Sequence, residues 1–228
     1  MEILWFFNVV FVVALLPCIV KTHRRGSLPA PPFILAATHV GELDPPLILR
    51  ASGRYRMRAI FERDEPEPIV RFLLRAIYRF QVTQRPELKS IVNERTKREI
   101  HAHLNRGGTL MIFPEGSQYW EKQLFPGVAI MAHRAGVPIV PTGIERGDVF
   151  QKELLSTPLR AMLQAIRSYH RLGHVVVHFA VPIYPEPNLE ERQDVDRLMR
   201  SIEERFADFY RRFYRKEGPI WVGSSKEV

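Results

Sequence analysis

A histidine and an aspartate five positions apart are the residues of this chain best suited to proton transfer. His39 lies in the stretch AATHVGELDPP, residues 36–46, and Asp44 follows it there. A histidine needs little perturbation to act as a base near neutral pH. A carboxylate on its second ring nitrogen fixes the tautomer and stabilises the imidazolium. The pair therefore predicts general base catalysis on a hydroxyl, provided that the intervening loop turns back.

The same two residues also fit a structural role. A polar residue before two prolines is typical of a helix N-cap. Asp44 would then accept hydrogen bonds from backbone N–H groups, and Pro45 would take the first helical position. The two roles are compatible, because a helix terminus is a rigid mount for a carboxylate. Taken alone, these residues favour the cap and leave the catalytic pair open.

The elements that must position these residues alternate between strand and helix along the chain. Short apolar runs predict strands at residues 33–37, 55–61, 109–112, 137–145 and 174–183. Helical periodicity or helix start and stop signals predict helices at residues 45–52, 67–80, 86–108, 126–136 and 188–216. This alternation indicates an α/β fold, a single domain with a largely parallel, buried sheet flanked by helices.

Three segments with polar or turn-forming residues follow or end the predicted strands. His39 comes after the first strand. The sequence FPEGS, Phe113–Ser117, comes after the strand Thr109–Ile112, and VPTG, Val140–Gly143, lies late in the next strand. In open α/β sheets functional groups gather at the carboxyl ends of strands. We therefore expect these three segments to meet at one edge of the sheet.

The N-terminus predicts a membrane anchor. The stretch Ile3–Val20 carries no charge and is followed at once by the basic run Lys21–Arg25. About 20 apolar residues span a bilayer, and a cleaved signal peptide would carry its positive charge before the apolar run. Pro17 leaves open a helix that lies partly in the interface. The positive-inside tendency then puts the rest of the chain on the cytoplasmic side.

The 228 residues are enough for one sizeable core behind this anchor. We predict an anchor over residues 1–25, a stiff proline-rich linker over 26–32, a catalytic domain over 33–216 and a tail over 217–228. The aromatic and basic residues of the last predicted helix suit either a membrane interface or core packing with a charged exterior.

The net charge of +8 suits an anionic partner: nucleic acid, acidic lipid head groups or a phosphorylated substrate. The chain has no helix-turn-helix, zinc-finger or RNP-type pattern, and an anchor argues against nucleic acid. No spacing of cysteine and histidine fits zinc, and the single cysteine, Cys18, excludes an intrachain disulfide. We therefore predict membrane lipids as partners, with no metal and no nucleic acid.

Four short blocks, in order along the chain, resemble the motifs of the glycerophospholipid acyltransferases, the lysophosphatidic-acid acyltransferase-like enzymes. The blocks are His39-x4-Asp44, Arg85 in FQVTQR, FPEGS, and VPIVP at Val137–Pro141. They span nearly half of the chain. The resemblance implies the glycerol-3-phosphate acyltransferase-like fold, preceded here by the N-terminal membrane helix.

The resemblance also implies a reaction. His39 would deprotonate the hydroxyl of a lysophospholipid such as 1-acylglycerol-3-phosphate, and the oxygen would attack the thioester of acyl-CoA or acyl-carrier protein. Asp44 would orient and balance His39. The product would be phosphatidic acid, made in phospholipid biosynthesis without a cofactor beyond the acyl donor.

The residues implied to bind substrate lie in the later blocks. They are Arg85, Phe113, Pro114, Glu115, Gly116, Ser117 and Pro141. The planar fork of an arginine suits a phosphate. A proline and a glycine in the turn fix its backbone and permit close approach. Glu115 is an unusual neighbour for a phosphate, and would instead bind an acceptor hydroxyl or hold an arginine.

Three positions depart from the family pattern. Thr38 stands where asparagine is usual, Arg79 where glycine is usual, and Gln118 where arginine is usual. The catalytic pair is intact, whereas the acceptor contacts are altered. Two alternatives therefore stay open: O-acyl transfer to a different lyso-lipid, for example an aminolipid, and a non-catalytic, membrane-associated lipid-binding protein on the same fold.

Overall fold

The computed structural model of the protein describes most of the chain. The described residues are 9–39, 41, 43–62, 80–83, 86–116, 123–145, 158–221 and 223. The helix predicted over residues 67–80 lies outside these ranges except at Phe80, which belongs to a strand. Arg79, Arg85, Ser117 and Gln118 also lie outside them.

The described strands form one seven-stranded sheet in the order β1-β7-β6-β2-β5-β3-β4. They are β1 (Lys21–Arg25), β2 (Phe33–Ala37), β3 (Arg58–Glu62), β4 (Phe80–Val82), β5 (Thr109–Ile112), β6 (Ile139–Glu145) and β7 (His174–Phe179). Every neighbouring pair is parallel except β6 and β7, which are antiparallel. The predicted α/β domain with a largely parallel, mixed sheet is confirmed.

The described helices cover both faces of this sheet. They are a short π-helix (Phe11–Leu15), α1 (Leu16–Ile19), α2 (Asp44–Ser52), α3 (Pro86–Asn105), α4 (Gly127–Ala135), α5 (Pro158–Leu172) and α6 (Glu191–Phe209). The chain continues from α6 into the segment Tyr210–Tyr214, which we call the π-turn.

The central strand β2 divides its side chains between two cores. Phe33 and Leu35 are fully buried in a cluster with Leu47 of α2, whereas Ile34 is fully buried in a second cluster with Ile202 of α6. Successive side chains of a strand point to opposite faces, and here helices cover both. This explains why the strand is an uninterrupted apolar run in the sequence.

The basic run Lys21–Arg25, predicted as the flank of an anchor, forms the edge strand β1 of the domain's sheet. It pairs in parallel with β7, with Lys21 opposite His174. An edge strand tolerates basic side chains because one side stays in water. Upstream of it, Val12 and Leu16 are fully buried in the core cluster that contains Phe33. Among the described residues, no helix combines the length and apolar character needed to cross a membrane.

A glycine in β6 lets the C-terminal helix approach the sheet closely. A Cβ atom added at Gly143 would lie 2.7 Å from the ring Cγ of Phe209, the last residue of α6. Phe209 is itself buried. The missing side chain therefore sets how closely α6, and the π-turn after it, pack on β6.

We expect Gly143→Ala to destabilise the protein by about 1–3 kcal/mol, because overpacking forces side chains or backbone to move. Urea denaturation would measure the loss. The matched control is Gly127→Ala, since a Cβ at Gly127 in α4 meets only the terminal carbon of Met131, at 4.0 Å. Alanine favours a helix more than glycine does, so the control should be as stable as the parent or more stable. Equal stability of the Gly143 variant and the parent would contradict the close packing.

Candidate active site

The loop after β2 turns back and brings Asp44 behind His39. Asp44 Oδ2 lies 3.5 Å from His39 Nδ1, and the Asp44 carboxylate is fully buried. The Gly41 N–H donates to the same oxygen at 2.8 Å, and the Asp44 N–H donates to the Gly41 carbonyl at 3.1 Å. These two bonds close the loop, which holds the carboxylate facing the imidazole as the sequence predicts for a catalytic pair.

The His39 side chain is partly exposed, and one of its ring nitrogens is buried. Its Nδ1 makes no hydrogen bond among the described residues, while the side chain as a whole keeps 17% of its surface exposed. Nε2 is therefore the ring nitrogen left for contact with a substrate. The 3.5 Å separation from Asp44 exceeds a hydrogen bond, but catalytic contacts are often long in the absence of substrate.

Asp44 is not the N-cap of α2. The helix begins at Asp44 itself, Leu43 occupies the cap position, and no side chain caps the helix. Pro45 and Pro46 have no N–H group, so two of the donors that a helix start leaves unpaired are missing from the first turn. The carboxylate turns toward the loop, where the Gly41 N–H donates to it. The cap predicted from the sequence is wrong in this respect.

The FPEG turn meets the catalytic loop through an aromatic contact. The rings of His39 and Phe113 lie with their centroids 4.4 Å apart and their planes at 32°. The Gly116 N–H donates to the Phe113 carbonyl at 3.0 Å, and Gly116 has a φ of 68°, a conformation that favours glycine. The third block therefore packs directly on the imidazole of the first.

Glu115 points into the protein and not into solvent. Its side chain is fully buried, and the Tyr210 hydroxyl donates to its Oε2 at 2.5 Å. Burial raises the pKa of Glu115 to about 8, and the negative charge of Asp44 adds to the rise. Hydrogen bonds from Tyr210 and from the His39 backbone N–H act in the opposite direction on this pKa. At neutral pH the Glu115 carboxyl is therefore mainly protonated. It faces a protein partner, Tyr210, and not the solvent from which an acceptor would come.

Thr38, the residue that replaces the family's asparagine, has its own partner. Its hydroxyl shares a 2.9 Å hydrogen bond with the Tyr214 hydroxyl, which also accepts from the Ile144 N–H at 3.3 Å. The Thr38 N–H donates to the Thr142 carbonyl at 3.0 Å. Both the backbone and the side chain of the residue before His39 are thus fixed.

The remaining predicted residues divide into two groups. Pro114 is buried within the FPEG turn, where its carbonyl accepts from the Phe125 N–H at 2.8 Å. Pro141 is buried in β6 opposite Ala36 of β2. Arg85 and Ser117 belong to the part of the chain that the structure leaves undescribed, so their predicted contacts with a substrate stay predictions. Within the described residues no group of three or more histidine, cysteine or carboxylate side chains is arranged for a metal ion.

Two tyrosines of the π-turn were not predicted as part of the site. Tyr210 and Tyr214 are separated from their partners, Glu115 and Thr38, by 95 and 176 residues. The local signal that exists is the i, i+4 spacing of two amphipathic aromatic residues on a helical segment, which fits core packing equally well.

A buried carboxylate behind a partly exposed histidine, at the carboxyl edge of a mostly parallel sheet, is an arrangement suited to general-base activation of a hydroxyl group. The sequence model of the acyltransferase family matches residues 19–145, more than half of the chain, and covers β1 to β6 with both segments of the site. The chain therefore belongs to the acyltransferase family, and the protein is an acyltransferase. The membership predicted from the motif blocks is confirmed.

The fold is also found among solved structures. The chain is similar to the crystal structure of the 1-acyl-sn-glycerophosphate (LPA) acyltransferase PlsC from Thermotoga maritima, with a TM-score of 0.51 and 22% sequence identity. The alignment covers 89% of this chain and 78% of that chain. At this identity the likeness shows the fold. No protein of curated function matches the sequence.

Proposed function

We propose that this enzyme transfers a fatty acyl chain from a thioester, acyl-CoA or acyl-carrier protein, to the hydroxyl of a lysophospholipid. The acceptor we propose first is 1-acylglycerol-3-phosphate, and the product is phosphatidic acid, formed in phospholipid biosynthesis. The observation that carries the proposal is the pairing of a partly exposed His39 with a fully buried Asp44 at the end of β2. The acceptor named for PlsC supports the choice of lipid.

In the proposed reaction His39 works through Nε2, because Nδ1 is buried and faces Asp44. The acceptor hydroxyl gives its proton to Nε2, and its oxygen attacks the thioester carbonyl carbon. The C–S bond then breaks, and the proton passes from His39 to the departing thiolate. Asp44 balances the imidazolium while it exists, and burial strengthens this interaction because water screens it little.

The acceptor head group is less constrained than the chemistry. Arg85 and Ser117 are proposed to bind the phosphate on the strength of the family resemblance. Two other residues of the motif blocks, Thr38 and Glu115, are hydrogen-bonded to tyrosines and buried. Because these two residues are bonded to the protein itself, their arrangement favours a second candidate. It is the same O-acyl transfer to a lyso-lipid with another head group, such as an aminolipid.

We further propose that the enzyme works at a membrane surface, with its domain on the cytoplasmic side. A net charge of +8 attracts anionic lipid head groups, and the first residues of the chain are strongly apolar. Co-sedimentation with anionic and neutral vesicles would test this location. Equal and negligible binding to both would contradict it.

A panel of acceptors and donors tests the proposed reaction. The purified full chain is incubated with lysophosphatidate, lysophosphatidylethanolamine, lysophosphatidylglycerol and a lyso-aminolipid, each with acyl-CoA and with acyl-carrier protein, and products are measured by mass spectrometry. We expect turnover that depends on His39 and is highest with lysophosphatidate. Preference for another acceptor would select the second candidate. Lipid binding without turnover on any acceptor would contradict the proposed reaction with lysophospholipids.

A further inference from the structure

The π-turn after α6, residues 210–214, is joined to both segments of the candidate active site by separate buried hydrogen bonds. Tyr210 donates to Glu115 in the FPEG turn, and Tyr214 bonds to Thr38, the residue before His39. Both tyrosines are about nine-tenths buried or more. One short segment at the end of the chain thus holds two catalytic segments that are far apart in sequence.

The geometry of this segment brings the two hydroxyls to neighbouring targets. The rings of Tyr210 and Tyr214 lie four residues apart on the same side of the segment, with centroids 5.0 Å apart and planes at 77°. The Arg215 N–H closes the last wide turn on the Tyr210 carbonyl, and Arg215 has a φ of 53°. Single π-type turns within α-helices are frequent at functional sites.

An aromatic stack fixes the π-turn against the sheet. The rings of Phe209 and Phe213 are stacked with centroids 5.5 Å apart, and Phe213 contacts the His178 ring of β7 at 4.4 Å. Gly143 leaves room for Phe209 directly on β6. The packing of these phenylalanine rings therefore fixes the π-turn, and with it the positions of the two tyrosine hydroxyls.

The hydrogen bonds of the two tyrosines act on His39 through different residues, Thr38 and Glu115. Thr38 is adjacent to His39 in the chain, so fixing its hydroxyl orients the end of β2 from which the imidazole projects. Glu115 accepts from Tyr210, and the nearby His39 backbone N–H lowers the pKa of Glu115. The turn that contains Glu115 also carries Phe113, whose ring packs on the imidazole.

We propose that Tyr210 and Tyr214 are positioning residues: through Glu115 and Thr38 they hold His39 and the FPEG turn in one relative arrangement. Neither tyrosine touches the reacting atoms. The kinetic test of this proposal rests on the proposed function, because it uses the acyl-transfer reaction. The placement of the imidazole can be measured without substrate.

The kinetic test removes single hydroxyls and keeps the rings. A displacement of about 1 Å in a reacting group costs on the order of 10²-fold in rate, so Tyr214→Phe and Tyr210→Phe should each lower kcat by about 10–100-fold. KM for the acyl donor should change by less than about threefold, because both hydroxyls are buried and bonded to protein partners. The matched control is Tyr169→Phe: Tyr169 is fully buried in α5, on the opposite face of the sheet, and its variant should keep the parent kcat.

Substitutions at the partner residue separate positioning from simple stability. Thr38→Val removes the hydroxyl and should reproduce the loss of kcat, whereas Thr38→Ser keeps it and should retain most of the activity. The double variant Thr38→Val, Tyr214→Phe should be no slower than either single variant, since both break the same bond. Additive losses would overturn the proposal, as would a kcat within twofold of the parent in both tyrosine variants.

A measurement without substrate distinguishes this proposal from the proposed function. In protein with ¹⁵N-labelled histidine, the His39 ring signals are assigned by their absence in His39→Ala. We expect these signals to shift in Tyr214→Phe and Thr38→Val, and to stay in place in Thr38→Ser and Tyr169→Phe. Shifts in that pattern support the positioning role even if no lysophospholipid is turned over. Unchanged His39 signals in both tyrosine variants overturn it, whatever the acceptor turns out to be.

Discussion

Asp44→Asn is expected to lower kcat by about 10²–10⁴-fold and to leave the fold intact, because positioned general acid–base catalysis contributes a factor of that order. The Gly41 N–H donates to Asp44 Oδ2 in a fully buried loop. An asparagine oxygen accepts that bond equally well, so the loop can close. The same oxygen is the atom that faces His39 Nδ1, so the contact with the ring persists, but an amide carries no negative charge. The imidazolium therefore loses the charge that balances it.

His39→Ala removes the base itself and should cost at least as much in kcat as Asp44→Asn. Combining the two substitutions should add little to the loss, because residues that act as one catalytic unit are strongly non-additive. Steady-state kinetics with the best acceptor of the panel measures kcat of each variant. Urea denaturation of the same variants measures their stability. Activity losses that multiply in the double variant would mean that Asp44 acts independently of His39.

The control for a general effect of removing a carboxylate is Asp208→Asn. Asp208 is on the outer side of α6, where it pairs with Arg211 and Arg212 on a largely exposed surface. Exposed ion pairs contribute little, so kcat and stability should both stay close to the parent values. If Asp44→Asn keeps full activity while it folds normally, Asp44 has only a structural role in the loop.

The central sheet could be predicted closely because its strands are buried on both faces. The strand β2 matches its predicted bounds, since Pro31 and Pro32 precede an uninterrupted apolar run and polar residues follow it. The start of β3 was placed too early: a turn after Gly53 takes up Tyr55 and Arg56, and the strand begins at Arg58. Periodicity indicates that a strand exists more reliably than it marks where the chain leaves a turn.

Three described elements were not predicted from the sequence: β4, β1 and α5. The last two were missed for different physical reasons. The edge strand β1 is basic and mostly exposed. Its charged residues are equally typical of the segment that flanks a membrane helix. The helix α5 has apolar residues interspersed with arginine and histidine, and its burial depends on packing against β7 and α1. In both cases a partner distant in the sequence decides the structure.

The candidate site shows the same division between local and distant contacts. The pair of His39 and Asp44 could be predicted because six consecutive residues contain both groups and the turn between them. The roles of Thr38 and Glu115 could not, because their partners lie in the last fifth of the chain and nothing in the local pattern links them. A glutamate in a turn is ordinarily a surface residue. Glu115 is buried and protonated only because the π-turn packs against it in the folded protein.

Glu115→Gln is expected to change how stability depends on pH. The Glu115 pKa is about 8 in the folded protein and 4.5 as an ordinary glutamate, so between these values the folded state holds a proton that the unfolded state has lost. The free energy of unfolding therefore falls as the pH rises through this window. Each pKa unit corresponds to about 1.4 kcal/mol, which gives a loss of roughly 3–5 kcal/mol from pH 4.5 to above pH 8.

Glutamine cannot ionise, and its carbonyl can still accept from the Tyr210 hydroxyl. The variant should therefore lack this loss and become the more stable protein at alkaline pH. The groups that act on Glu115 are Asp44, Tyr210 and the His39 backbone, all present in both proteins. Ionisable groups common to both proteins affect both curves alike, so their contribution cancels in the difference between the curves.

Urea denaturation of parent and variant at half-unit steps from pH 5 to pH 9 measures that difference. Glu191→Gln is the matched control: Glu191 pairs with Arg134 at the surface, which lowers its pKa. A lowered pKa contributes stability that is complete above pH 4.5 and is lost only in more acidic solution, so the control should give a constant difference over the same range. A Glu115→Gln curve that runs parallel to the parent curve would mean that Glu115 is already ionised at neutral pH. Tyr210 would then stabilise a buried carboxylate next to His39, and the site would carry one more negative charge than this structure indicates.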